Sequence, residues 1–279
     1  MDIKNKKLTI ITINLNNLQG LKRTIEGVFS QTWQEFEYIV IDGGSKDGSA
    51  EFLKNQSENI DYWISEPDKG VYNAMNKGIQ KAKGEYLLFL NSGDHFYSSD
   101  VLKENYNYFK DYDLVSFDLE MVDDNGKRIM SSPYNLKFSD LYKGTLPHPA
   151  TFIKKELFKK IGLYDEKLKI VSDWKFFIIA LFKHNCSYLK IKKTLAVFYL
   201  DGISSTMDFT SEREQVLEEH FNGFILDYKE LEENRLYRNN RFIMLKEIEK
   251  SWFGKKIVSL FFRLYIVLFS NRKLKDILK

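Results

Sequence analysis

At 279 residues, with 43% apolar and 29% charged side chains, the chain can bury a substantial core and is too apolar to be disordered. A single cysteine, Cys186, excludes an intramolecular disulfide and fits a reducing compartment, where it reads as a small buried hydrophobe. The net charge of +3 is a local feature: residues 251–279 hold seven Lys or Arg against one Asp, which leaves −3 for the rest of the chain. No nucleic-acid motif or internal repeat accompanies that basic tail, so no nucleic-acid partner is expected.

The N-terminal residues run straight into an apolar strand without a hydrophobic leader, so no signal peptide is expected. Leu8 to Ile13 is β-rich and ends at Asn14. A polar loop follows, then a helix whose Leu18, Leu21, Ile25, Val28 and Phe29 recur at helical spacing. Phe36 to Ile41 is a second strand. It ends in Asp42-Gly43-Gly44-Ser45-Lys46-Asp47-Gly48-Ser49, an acidic, glycine-rich turn of the kind that opens a nucleotide-binding βα unit and is also common as a plain turn. Ile60 to Ser65 makes a short third strand, followed by Glu66-Pro67-Asp68-Lys69-Gly70 and a helix from Val71 to about Lys81 that carries Asn73, Asn76 and Lys77 on one side.

Glu85 to Phe96 is the stretch around which the chain is organised. Tyr86 to Leu90 is an unbroken apolar run of strand length, stopped by Asn91-Ser92-Gly93-Asp94. A buried strand thus delivers Asp94 to its C-terminal end, where open α/β sheets bind ligands. Asp94 with Asn91 suits a hard divalent cation that shares its oxygen ligands with a substrate's phosphates; a polar turn capping the next helix is the other reading. Four strands alternating with three helices predict a parallel sheet with Asn14, Asp42, Asp68 and Asp94 along one edge.

Ile10 to Asn14, Val40 to Ser49, Ser65 to Gly78 and Phe89 to Asp94, in that order, resemble the successive motifs of family 2 glycosyltransferases, and the resemblance runs over roughly residues 8–205. It implies an α/β fold of the GT-A type, a Rossmann-like, mostly parallel sheet flanked by helices, here with a C-terminal helical extension. By that resemblance Thr12, Asn14, Asp42 and Gly44 line the nucleotide, with Asp42 near the base. Asp68 and Lys69 approach base or phosphates, and Asn76, Asn91 and Ser92 belong to the same nucleotide-sugar site. Asp94 stands where the family's Asp-x-Asp motif binds Mn²⁺ or Mg²⁺. This chain has Asn91 and Gly93 where two acids are common, which leaves Asp94 as the motif's one carboxylate.

Val101 to Phe109 reads as a helix, and Leu114 to Val122 with Lys127 to Met130 as a hairpin closed over Asn125-Gly126. Pro147-His148-Pro149 holds His148 out of a helix, either as a phosphate contact or metal ligand on the acceptor side or as a loop histidine bonded to backbone. A helix near Lys155 to Lys160 ends at Gly162. Val171-Ser172-Asp173-Trp174 then opens an apolar helix through Phe182, with Ser172 as N-cap and Asp173 as a first-turn acid. By resemblance Asp173 is the general base that deprotonates the acceptor, and Trp174 stacks on the acceptor's ring. Leu195 to Leu200 is a strand, and the Asp201–Ser205 loop with Gly202 and Ser204 resembles the family's lid over the diphosphate.

Glu212 to Leu226 and Tyr228 to Glu249 read as amphipathic helices. Ile257 to Phe269 is apolar apart from Ser259 and Arg263, with Lys255, Lys256, Arg272, Lys273 and Lys275 on its flanks. Thirteen helical residues span about 20 Å, short of the ~30 Å hydrocarbon core. The segment is therefore expected to lie on a membrane, with packing into a core as the rival reading.

Residues 1–100 are thus expected to form the nucleotide-sugar half, 101–206 the acceptor half and 207–279 a basic, membrane-associated region. The resemblance implies an inverting enzyme on the inner face of a bacterial cell membrane, cytoplasmic and peripheral. It would move a hexosyl or N-acetylhexosaminyl group from a nucleotide-sugar, UDP being the commonest nucleotide in the family, to a glycan or polyprenyl-diphosphate-linked acceptor in capsule or O-antigen synthesis. The alternatives are a sugar nucleotidyltransferase and a catalytically silent membrane-bound partner in a polysaccharide assembly complex.

Overall fold

The computed structural model describes residues 6–108, 111–200, 208–236 and 240–269. The chain forms two compact units, Met1–Val216 and Leu217–Lys279. In the first, β1 (Leu8–Asn14), α1 (Leu18–Phe29), β2 (Phe36–Asp42), α2 (Ser49–Asn55), β3 (Tyr62–Ser65), α3 (Val71–Lys81) and β4 (Tyr86–Phe89) alternate as the periodicity predicts. Every residue of β1, β2 and β4 is buried, the pattern of strands covered on both faces. Leu8, Ile10, Tyr38, Val40, Leu88 and Leu90 share one core with Leu21, Ile25 and Val28 of α1. The alternate face receives α3: a Cβ on Gly78 would stand 2.6 Å from Ile11 Cγ2, so the helix lies directly on β1.

These four strands pair in parallel in the order β3-β2-β1-β4. The rest of the sheet is built from β5 (His95–Phe96), β6 (Leu114–Asp123), β7 (Gly126–Met130), β8 (Thr151–Lys154) and β9 (Tyr188–Tyr199), and continues β4-β8-β6-β9-β5. β8 is antiparallel to both β4 and β6, β9 runs parallel to β6, and β7 folds back on β6 as the expected hairpin. One sheet therefore runs through both halves that the sequence distinguishes. Between these strands lie α4 (Val101–Asn105), α5 (Phe138–Lys143), α6 (Glu156–Lys160) and α7 (Ser172–Phe182). The sequence reading has no helix at α5 and starts β9 seven residues late. The alternating lysines of Tyr188–Lys193 mask a strand whose Lys190 is buried against Asp118.

α8 (Thr210–Leu236) begins in the first unit and runs into the second, and its backbone leaves helical angles at Phe221. α9 (Asn240–Ile248) and α10 (Trp252–Phe269) follow. The departure at Phe221 falls before the expected junction between Leu226 and Tyr228, through which α8 continues. No helix among the described residues is long and apolar enough to cross a membrane. α10 nonetheless exposes large apolar side chains along its length, Trp252, Phe253, Phe261, Tyr265 and Phe269 among them, each at least 64% exposed.

Candidate functional site

The C-terminal ends of β1, β2 and β3 meet in register, Asn14 opposite Asp42 and Asp42 opposite Ser65. Asp42 is fully buried. Its Oδ1 accepts from Asn14 Nδ2 at 2.7 Å and from Ser45 Oγ at 2.5 Å, and its Oδ2 accepts from Ser65 Oγ at 2.5 Å and the Ser45 amide at 3.0 Å. Burial pushes this carboxyl upward, but the donors from Ser45, Ser65 and Asn14 together outweigh it and hold it below the usual carboxylate range. Expected at the base, Asp42 instead spends its acceptor capacity tying three strand ends together.

The loops above this edge rest on one another through glycine. A Cβ on Gly43 would fall 2.4 Å from Asp68 Oδ2, and one on Gly44 would fall 3.0 Å from the Pro67 nitrogen. Gly44 also takes a φ of +81°, which L side chains rarely adopt. The pair lets Glu66-Pro67-Asp68 settle onto the β2–α2 turn, with Asp68 Oδ1 accepting from the Gly70 amide at 2.9 Å and Lys69 exposed beside it. Asp47, on the same turn, caps two helices: its Oδ2 accepts from the Leu18 amide at 2.7 Å and its Oδ1 from Ser49.

Asn91 to Asp94 lies past the end of β4 and is clasped by α1. The Thr24 hydroxyl, 2.6 Å from the Asp94 carbonyl and 3.1 Å from that of Asn91, also accepts from the Gly93 amide, while Asn17 Nδ2 reaches the Ser92 carbonyl at 3.2 Å. Thr24 does not figure in the sequence reading, yet it sits three residues after Leu21 on the buried stripe of α1, where a hydroxyl must find partners. Asn14 Oδ1 and Asn91 Oδ1 are shielded from solvent and meet no donor. No group of three or more His, Cys, Asp or Glu that could hold a metal ion exists among the described residues. One carboxylate, Asp94, beside an amide oxygen without a donor fits a hard cation that takes its other ligands from phosphate and water, and does not fit an all-protein metal cage.

The second cluster joins α3 to the start of α7. The Tyr72 hydroxyl reaches both the Ile170 carbonyl and Asp173 Oδ1, the latter at 2.9 Å, across 101 residues of sequence. Asp173 lies in the first turn of α7 and is part-exposed. The segment ahead of it is pinned by Glu212, whose carboxylate accepts from the amides of Lys169 at 2.7 Å, Ile170 at 3.1 Å and Val171 at 3.4 Å. The sequence reading gives neither Tyr72 nor Glu212 a role in the site, since each acts on a segment far along the chain.

Several expected contacts have other partners. Trp174 is 2% exposed, donates its indole N–H to the Leu141 carbonyl at 2.7 Å and carries the Arg213 guanidinium 4.7 Å from its ring centre, so it offers no open face for an acceptor. His148 is buried, with its Nε2 2.9 Å from the Tyr164 hydroxyl and its ring stacked on Phe89 at 4.9 Å. Burial lowers its pKa, only partly opposed by the charge of Asp173, and leaves it a core histidine. Thr12 is fully buried and donates to the Leu90 carbonyl at 2.7 Å, bracing β1 on the end of β4. Asn76 is bound on both sides of its amide by Tyr164 and also by Glu166. Ser172 is the first helical residue, not the cap; Val171 holds that position, and the Ser172 hydroxyl accepts from the Asp165 amide. Gly202 and Ser204 lie outside the described residues.

The sequence profile of Glycosyl transferase family 2 matches residues 9–162. An uncharacterized glycosyltransferase of Mycobacterium tuberculosis is 34% identical over 203 residues, which covers 71% of this chain and 77% of the relative. A PGL/p-HBAD biosynthesis glycosyltransferase of Mycobacterium bovis is 31% identical over 174 residues, covering 60% and 67%. Among solved structures, residues 1–349 of S. aureus TarS in complex with UDP-GlcNAc superpose with a TM-score of 0.63 at 16% identity, over 97% of this chain and 77% of that one. The mannosyltransferase PcManGT of Pyrobaculum calidifontis, in complex with GDP-Man and Mn²⁺, gives 0.57 at 16% identity over 78% and 64%. At such identity the likeness is one of fold: the mixed sheet with flanking helices is that of the GT-A glycosyltransferases.

Proposed function

The chain belongs to glycosyltransferase family 2, and on that footing we propose that it carries out an inverting transfer of a hexosyl or N-acetylhexosaminyl group from a nucleotide-sugar, first of all a UDP-sugar, to a hydroxyl of a glycan or polyprenyl-diphosphate-linked acceptor. The observation that carries the reading is the 2.9 Å hydrogen bond between Tyr72 and Asp173. Tyr72 stands two residues after Asp68-Lys69-Gly70, in the first turn of α3, so the bond ties an acid at the start of α7 to the nucleotide side. Asp173 takes the proton of the acceptor hydroxyl as that oxygen attacks the anomeric carbon.

Asn14, Gly44, Asp68, Lys69, Asn91 and Ser92 line the nucleotide-sugar, and Asp42 acts behind them by holding Asn14, Ser45 and Ser65 in place. Lys69 meets the charge that builds on the departing diphosphate. Asp94 and Asn91 would hold Mn²⁺ or Mg²⁺, which when bound supplies further neutralisation of that diphosphate. Residues 1–100 serve the donor and 101–206 the acceptor. Residues 207–279 bring the enzyme to the inner face of the membrane through the exposed apolar side chains of α10 and its Lys255 and Lys256. The UDP-GlcNAc complex of TarS and the Mn²⁺ complex of PcManGT support the donor and metal classes. The PGL/p-HBAD biosynthesis relative supports a role in biosynthetic glycosyl transfer.

A thermal-shift panel of UDP, GDP, CMP and dTDP, each with Mn²⁺ and with EDTA, tests the donor site. Ligand at 100 times its Kd stabilises the fold by about 2.7 kcal/mol. A metal-dependent shift with one nucleotide, followed by turnover of its sugar conjugate that Asp173→Asn abolishes, supports the reading. Pyrophosphate release from a nucleoside triphosphate, or no shift with any nucleotide, overturns it.

A further inference from the structure

The Tyr72 hydroxyl has one proton and two acceptors, the Ile170 carbonyl and Asp173 Oδ1. Both are held. The peptide that carries the Ile170 carbonyl is fixed on its other side, where the Val171 amide donates to the Glu212 carboxylate at 3.4 Å, and the Tyr72 ring is 5% exposed, with its centre 5.6 Å from that of Tyr164. Among the described residues, Oδ1 is the oxygen of Asp173 that receives a hydrogen bond. Oδ2 is left for the acceptor.

We propose that Tyr72 is the positioning residue of the transfer reaction: its hydroxyl holds Asp173 Oδ1 while the carboxylate is ionised and turns its hydrogen bond wholly to the Ile170 carbonyl once the carboxylate becomes neutral. This rests on Asp173 being the base. In the step, the acceptor O–H breaks and its proton passes to Asp173 Oδ2. The acceptor oxygen bonds to the anomeric carbon, and the bond from that carbon to the phosphate oxygen breaks, its electron pair leaving with the nucleoside diphosphate. The neutral carboxyl no longer attracts the Tyr72 O–H, and the Ile170 carbonyl is already in place to accept its hydrogen bond. The phenol proton has an acceptor in either state, so the base cycles without rearrangement of Tyr72. Among the described residues, His148, Tyr164 and, from α8, Arg213 also feel the charge of Asp173. Burial first, and the charge of Asp173 second, push the Tyr72 phenol well above its ordinary range, which keeps it a donor.

The test is the pH profile of turnover for the nucleotide sugar that the wild-type chain uses, compared among wild type, Tyr72→Phe and Asp173→Asn. Tyr72→Phe is expected to keep its KM for the donor while kcat falls about 10- to 100-fold. The acidic limb of its kcat/KM profile moves up by about 0.5–1 pH unit, because a carboxylate that loses a donor keeps its proton more readily. Replacement of Tyr72 by 3-fluorotyrosine, nearly isosteric and a stronger donor, moves that limb down. A Tyr72→Phe enzyme with a wild-type profile, or one in which kcat and KM change with the limb in place, overturns the proposal, as does a fluorotyrosine enzyme with an unmoved limb. If Asp173→Asn still turns over, the assignment of the base fails and Tyr72 falls with it. If only Asp173→Asn is inactive, the Tyr72 assignment alone fails.

Discussion

Asn76 pairs with the backbone of Tyr164 as one strand residue pairs with another, its Nδ2 donating to the Tyr164 carbonyl at 2.9 Å and its Oδ1 accepting from the Tyr164 amide at 3.0 Å. The same Nδ2 reaches Glu166 Oε1 at 2.9 Å, and Asn73 meets Oε2 of that carboxylate at the same distance. α3 thereby carries the whole loop that leads into α7. Asn76→Ala leaves two buried backbone groups without partners, at about 1–3 kcal/mol each. The expected outcome is a fall in Tm of roughly 5–15 °C with nucleotide affinity unchanged in the folded protein. Thermal melts with and without nucleotide check both halves of that statement.

Gly43 makes room for the Asp68 carboxylate, not for a turn. A methyl group there meets Asp68 Oδ2 at 2.4 Å, and the half-buried Asp68 side chain is free to swing aside. Gly43→Ala should therefore melt within a few degrees of wild type yet bind nucleotide about tenfold more weakly, a loss of about 1.4 kcal/mol. Gly44→Ala should cost stability as well, about 1–2 kcal/mol, because its φ of +81° is strained for any side chain. Calorimetric titration alongside a melt separates the two.

His148 gives the fold a pH dependence of definite sign. Burial lowers its pKa from 6.5, so below pH 6.5 the unfolded chain takes up a proton that the folded one does not. Stability contributed by the neutral ring is full above pH 6.5 and declines as pH falls from there toward the lowered folded value. His148→Gln keeps a hydrogen-bonding group for Tyr164 but cannot titrate. It should be less stable at pH 7 and show a flatter stability curve between pH 6.5 and 5, measured by urea unfolding at each pH.

α10 predicts membrane adsorption that depends on charge. Trp252 and Phe253 are 70% and 68% exposed, Lys256 lies 3.9 Å over the Trp252 ring, and Lys255 stands beside it. Exchange of Lys255 and Lys256 for Gln should weaken binding to anionic vesicles by about 2 kcal/mol, roughly 30-fold, with little effect on neutral ones. Phe261→Asp should weaken both. Vesicle sedimentation at low and high salt reads the difference.

What sequence alone determined is local. The strand–turn–helix units up to β4, the hairpin at Asn125-Gly126, the start of α3 at Val71 and the placement of Asn14, Asp42, Asp68 and Asp94 at or beyond strand ends all follow from signals within a dozen residues: apolar runs, helical spacing, glycines and polar breaks. What only the tertiary structure decided is which polar atoms remain available. Thr12, Asp42 and Asn76 belong to the same motifs as Asp68 and Asn91, yet their hydrogen-bonding capacity is consumed inside the protein by partners on other elements. Tyr72 and Asp173, 101 residues apart, meet because the sheet continues from β4 through β8, β6 and β9 instead of closing after the parallel strands. Periodicity reports which face of an element is buried. Partner choice depends on strand order and register, which are set by packing between distant segments, and a local pattern carries no term for it.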